Sequence, residues 1–301
     1  MSKVVKKPRF YVNYNQFFSY YNYFPALTQK YLHTINYDIT SVPSSQNINI
    51  WNTAPNTAVD FYNLNEIMPN CFVFILGIKN LTNIVTTNDS VWTPLVTSGE
   101  GWILLTVDKP EIELKLYNDV NSDISFNSIV AGSYWEAPHS PDLRVTQNYS
   151  YAGIRKRQTK GGHYISNTNW SRPPKWNGRG AWEQGSSQYL NLYKSGRRSW
   201  DISFSYLSDD QSFPDSTNLL KDSYNNVNSD DGTLVNKTET DIFSRLIHPT
   251  AGGSLPFIFQ PDSTNFAADQ FAICTLDQNS IGFQQTSPSL YNIRLKVVEI
   301  W

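Results

Sequence analysis

Short apolar runs alternate with polar, turn-forming stretches along this chain, and the runs have the length and period of β-strands. Residues 71–78 form a nearly continuous apolar run bounded by Pro69-Asn70 and Lys79-Asn80, which predicts a strand buried on both faces. Comparable runs cover 101–107 and 129–135. Between them 111–117 alternates, with Ile112, Leu114 and Leu116 set inward and Glu111, Glu113 and Lys115 outward. The stretch 199–207 alternates as well, with Trp200, Ile202, Phe204 and Tyr206 on one face and Asp201, Ser203 and Ser205 on the other. Further strands are predicted at 255–260, 270–276, 282–286 and 290–300, the last tying the C-terminal end into a sheet.

Helical periods are few. An initial strand at 9–13 leads into an aromatic stretch where Tyr14, Phe17, Phe18 and Tyr21 have helical spacing, so a short amphipathic helix is expected, its rings packed in the core. A second short helix is predicted at 240–248 from Ile242, Phe243, Leu246 and Ile247, capped by Thr238 or Thr240 and ended by Pro249 and Gly252-Gly253. The Asp/Ser/Asn-rich stretch 208–235 reads as a mobile loop.

Composition agrees with the pattern. The 301 residues include 30 Asn and 18 Tyr, with 14% aromatic and only 17% charged residues, which suits short strands joined by polar turns. The aromatic load excludes a disordered chain, and a mean hydropathy of -0.43 with no long apolar run excludes membrane insertion through helices. With no export signal visible, synthesis in a cytoplasm is expected. Cys71 and Cys274 each lie inside an apolar run and read as buried thiols; two cysteines are too few for a disulfide framework or a four-ligand zinc site.

The net charge of -2 argues against a globally basic nucleic-acid binder, but it hides a separation. Between Arg144 and Arg198 lie seven Arg and four Lys against the single Glu183, a local charge of +10 that leaves -12 on the rest. Arg155, Lys156, Arg157 and Lys160 are the densest part. Arg172, Trp176, Arg179 and Trp182 have the Arg/Trp composition of interface hot spots, and Arg197 and Arg198 close the segment. One or two strands and a long loop are expected here. Like charge clustered in an otherwise neutral protein points to an interface, either with an acidic neighbour or with DNA in a channel.

Catalytic patterns are scarce. There is no nucleophile elbow, phosphate loop or metalloprotease motif. His139, Ser140 and Asp142 supply triad residue types but crowd into one turn, whereas triads assemble from separate elements. Glu111 and Glu113 resemble a glycosidase pair, but a solvated strand face beside Lys115 offers nothing to raise either pKa. The four histidines lack metal-ligand spacing. No catalysis, metal or cofactor is expected.

The second half carries a resemblance. Gly196-Arg-Arg-Ser-Trp-Asp-Ile-Ser-Phe-Ser-Tyr-Leu, a helix, Gly252-Gly253-Ser-Leu-Pro-Phe-Ile-Phe-Gln-Pro-Asp262, Phe271-Ala-Ile-Cys and Tyr291-Asn-Ile-Arg-Leu-Lys-Val-Val-Glu-Ile-Trp301 look like virion structural proteins of marine bacteriophages. The order of strand, helix, Gly-Gly turn and strands ending in an outward Glu resembles the tail-tube and distal-tail family. That resemblance spans roughly 138–301 and implies a β-sandwich or barrel with one short helix, closing into rings around the tail channel. More loosely, Phe72-Val-Phe-Ile-Leu-Gly77 with Lys79-Asn80-Leu81 resembles the central strand and turn of discoidin-like, carbohydrate-binding jelly rolls, without the turn histidine and with one added residue. The expectation is therefore a mainly β protein with a discoidin-like sandwich at 1–137 and a tail-like β domain at 138–301. Its expected role is a distal-tail or baseplate ring subunit of a virion, partnered by itself, other tail proteins, DNA in the channel or host-surface glycans. A carbohydrate-binding virion adhesin is the alternative.

Overall fold

The computed structural model describes residues 5–13, 51–53, 70–79, 83–86, 100–107, 114–117, 124–126, 128–150, 154–168, 197–214, 240–267 and 270–300. The protein is mainly β, with antiparallel pairing throughout the described strands. In chain order these are β1 (Arg9–Asn13), β2 (Trp51–Thr53), β3 (Cys71–Lys79), β4 (Asn83–Thr86), β5 (Glu100–Val107), β6 (Leu114–Tyr117), β7 (Ile124–Phe126), β8 (Ser128–Glu136) and β9 (Thr146–Ser150). They continue with β10 (Ile154–Gln158), β11 (Tyr164–Thr168), β12 (Arg197–Ser208), β13 (Phe257–Gln260), β14 (Ala272–Leu276), β15 (Phe283–Ser287) and β16 (Leu290–Glu299).

Twelve strands form one sheet, ordered β2-β7-β3-β8-β1-β13-β14-β16-β12-β9, with β5 on β3 and β15 on β16. Hydrogen bonding passes from the early strands to the late ones through β1. Phe10 sits opposite Trp135 of β8 on one side and Phe259 of β13 on the other. The middle of this sheet is covered on both faces, which explains why its strands read as unbroken apolar runs. Phe72 to Leu76 are all buried, as the run at 71–78 predicted, and so are all four residues of β13.

Alternation sorts these residues into two aromatic cores. Phe10 packs with Trp135, Phe257 and Phe259, at ring separations of 5.0–5.7 Å. On the opposite face Tyr11 meets Phe72 and Phe74 edge-on and shares a cluster with Leu104, Val130, Ile258 and Phe271. Phe10 and Tyr11 are fully buried; the helix expected just after them lies outside the described residues. Burial pushes the Tyr11 hydroxyl pKa well up, and the group donates to Gln260 Oε1 at 2.7 Å. Cys274 is fully buried opposite Phe257, and burial raises its thiol pKa.

The expected helix at 240–248 is a π-helical turn, Phe243–Ile247, that packs on β8 and β1. Its cap differs from the Thr238 or Thr240 expected. The buried Asp241 carboxylate accepts from the Ser244 N–H at 2.8 Å, and the Asp241 carbonyl accepts from Arg245. Gly252 and Gly253 follow at φ +72° and +86°, conformations that favour glycine, and Leu276 N–H donates back to the Gly253 carbonyl.

Two details depart from the expected pattern. Tyr206 does not share the inward face of β12. A bulge between Phe204 and Leu207 gives it a φ of +62° and leaves it 68% exposed, while Leu207 takes the buried place. The stretch expected to be a mobile loop from 208 opens with a helical turn, α1 (Asp209–Ser212), held by the Ser208 N–H donating to Gln211 Oε1. Glu111, Ile112 and Glu113 lie outside the described residues.

Candidate interaction site

The basic segment begins at the edge of the large sheet. β9 pairs with β12 there, its last three residues exposed, and the chain then forms a separate two-stranded ribbon, β10–β11. The pairing runs from Ile154 opposite Thr168 to Gln158 opposite Tyr164. The ribbon closes through Thr159, Lys160, Gly161, Gly162 and His163. Thr159 N–H donates to the His163 carbonyl at 2.8 Å, His163 N–H to Thr159 Oγ1, and Gly162 N–H to the Thr159 carbonyl, with Gly162 at φ +83°. The left-handed conformation at position 162 is the one place in the turn that favours glycine.

Of the candidate residues, the ribbon gathers Arg155, Lys156, Arg157 and Lys160. Positions 155 and 157 lie opposite Asn167 and Ile165, on one side of the ribbon; position 156 lies opposite Ser166, on the other. Arg157 and Lys160 are exposed. Tyr164 and Ile165 were not singled out by sequence, yet they are 74% and 58% exposed on the same ribbon. Alternation around a Gly-Gly turn was the signal that could have found them. Arg172, Trp176, Arg179 and Trp182 lie outside the described residues.

Arg197 and Arg198 are elsewhere, half-buried on β12. Arg198 grips Glu299 of β16 with both Nε and Nη2, donates from Nη2 to the Phe271 carbonyl at 2.8 Å, and lies over the Trp200 ring. Burial works against its charge, but the hydrogen bonds and charge of Glu299 prevail and its pKa is raised. The strand-ending Glu299, expected to face outward, is thereby engaged within the molecule.

Elsewhere four ion pairs take up described charges in place. Lys6 pairs with Asp262, Arg9 with Glu136, Arg294 with Asp201 and Lys296 with Asp277. Arg144, Arg157 and Lys160 belong to none of the described ion pairs. Nor do Asp209 and Asp210, both exposed on α1; Asp209 is hydrogen-bonded to Tyr291. The triad residue types do not form a relay. Asp142 Oδ2 accepts from Ser203 and Ser205, and His139 Nδ1 sits 2.7 Å from the Ser140 carbonyl. Among the described residues no group of His, Cys, Asp or Glu is arranged to hold a metal, and no helix is long and apolar enough to cross a membrane.

No family model matches the chain, and no curated protein or solved structure matches it.

Proposed function

We propose that this protein is a non-enzymatic structural subunit of a bacteriophage tail, made in the host cytoplasm and placed at the distal tail or baseplate. The observation that carries the reading is the β10–β11 ribbon, which presents exposed Arg157 and Lys160, in none of the ion pairs among the described residues, together with exposed Tyr164 and Ile165, outside the large sheet. Two-stranded ribbons are marginal alone in water, so one that sits outside the main sheet gains from a partner. Basic, aromatic and aliphatic groups together suit a protein interface.

In this reading the late strands β12 to β16 form the body of a ring subunit. The ribbon engages a neighbour, and the early strands face other tail proteins, fibres or host-surface glycans. The order of strand, helical turn, Gly-Gly turn and strands over 138–301, which looks like that of tail-tube and distal-tail proteins, is what supports this location. Mass photometry of the purified chain and electron microscopy of virions labelled with an antibody to it test the reading together. A closed oligomer and label at the tail tip are expected. A strict monomer at the highest soluble concentration, with no virion label, refutes it.

A further inference from the structure

The partner of the ribbon can be read from the charge left over once internal pairs are removed. Five ion pairs take up charges on the described part of the large sheet. Of the exposed described charges outside those pairs, Lys7 and Arg144 stand singly, whereas Arg157 and Lys160 share the ribbon and Asp209 and Asp210 share α1.

We infer that the ribbon docks on the α1 end of β12 in a second copy of this chain. The inference rests on the self-assembly reading above and names the surface that reading leaves open. Two sets of opposite sign on one chain, both outside the described ion pairs, are what a head-to-tail contact requires, because each copy then offers both halves of the interface. Such a contact closes into a ring or extends into a stack according to its rotation. Tyr291 and Phe213 add aromatic surface to the acidic side. Tyr291 is hydrogen-bonded to Asp209, and Phe213 stacks edge-on against it at 5.1 Å. Tyr164 and Ile165 on the ribbon are the apolar counterpart. DNA would use the cations but leave Ile165 without an apolar contact, so a protein surface fits the whole ribbon better.

Arg157→Glu with Lys160→Glu, and separately Asp209→Lys with Asp210→Lys, test this in the full chain. The substituted side chains are solvent-exposed apart from the Asp209–Tyr291 bond, and circular dichroism confirms the fold of each variant. Each exposed charge pair contributes only a few-fold on its own, but reversal also adds repulsion, so each double variant is expected to self-associate at least about tenfold more weakly. Mixing the two variants is expected to restore association, since each then carries the half the other needs, and added salt is expected to weaken the wild-type contact.

Oligomers indifferent to both reversals would overturn the docking site while leaving self-assembly standing, whereas a monomeric wild type removes the self-assembly reading itself. Dissociation that mixing does not repair would mean that the ribbon meets a surface other than α1. Unchanged oligomers, with binding of a fluorescent DNA duplex that is lost only in Arg157→Glu/Lys160→Glu, would assign the ribbon to nucleic acid.

Discussion

Phe10 is the side chain through which β1 joins the early and late strands, and its removal tests whether they unfold as one unit. The ring is fully buried, with centroids 5.5 Å from Trp135 of β8, 5.7 Å from Phe257 and 5.0 Å from Phe259 of β13. Truncating a buried phenylalanine to alanine costs about 3–5 kcal/mol. Three ring contacts, each adding about 0.5–1.5 kcal/mol without being additive, put Phe10→Ala near the top of that range, at about 4.5 kcal/mol. With a urea slope of about 3 kcal/mol/M, the upper end of the usual range because slopes grow with chain length, the midpoint should fall by about 1.5 M. Hydrogen exchange supplies the second readout: amides of β8 and β13 should lose protection together, since β1 hydrogen-bonds to both. A midpoint shift below about 0.5 M would refute the packing argument, being too small for a buried ring at that slope. Loss of protection in β13 with β8 unchanged would refute the claim that β1 couples them.

Gly253→Ala should be among the most damaging small substitutions in the chain. A Cβ there would fall 2.5 Å from three atoms of the Leu276 side chain, on a residue at φ +86°, and the two effects together should cost about 2–5 kcal/mol in a thermal melt. A neutral result would refute the close approach of the two turns. Tyr206→Gly should act the other way. A left-handed tyrosine costs about 1–2 kcal/mol and glycine in a strand gives back about 0.5–1 kcal/mol, so a gain of roughly 0.5–1 kcal/mol is expected by urea unfolding. A clear loss would mean that the exposed ring packs usefully after all. Asp201 carries the pH prediction. The Arg294 hydrogen bond and charge hold its carboxyl below the ordinary value of 3.8, so its stabilisation is present above that value and lost as pH falls through the lower folded value. Asp201→Asn should lower stability at pH 7 and make the acid limb below about pH 4 less steep, measured by urea unfolding across pH; an unchanged limb would show that the pair contributes nothing.

Much of the fold was legible because strands in the middle of this sheet are buried on both sides. A run such as Phe72 to Leu76 then has one reading, and its ends are marked by turn residues. Legibility failed where backbone geometry overrode period. Strict alternation put Tyr206 inward beside Phe204, but one extra residue opposite Asn292 turns it out and brings Leu207 in, and nothing in the side-chain pattern announces a bulge. The helix at 240–248 was right in place and wrong in kind. Its apolar spacing does not distinguish an α-turn from a π-turn, and its cap is Asp241, already inside the predicted helix, because the turn starts at Phe243 and not at 240. Strand partners were the least legible part. Nothing local says that β1 sits between β8 and β13, because pairing is decided by which apolar faces fit across a large separation in sequence.

The candidate site shows the same division between local and long-range information. Local charge density was enough to predict that Arg155, Lys156, Arg157 and Lys160 lie together, because like charges close in sequence stay close on a hairpin. It failed for Arg198, where the deciding fact is Glu299, about a hundred residues away in sequence and across the β12–β16 pairing. A summed charge of +10 therefore mixes cations of opposite meaning: some close an internal ledger and some are left open. Only those without an internal partner retain attraction for another molecule, since a bidentate carboxylate has already met both the charge and the donors of the guanidinium. Subtracting the described internal pairs, rather than counting charges, separates exposed Arg157 and Lys160 from the engaged Arg198 within one basic stretch.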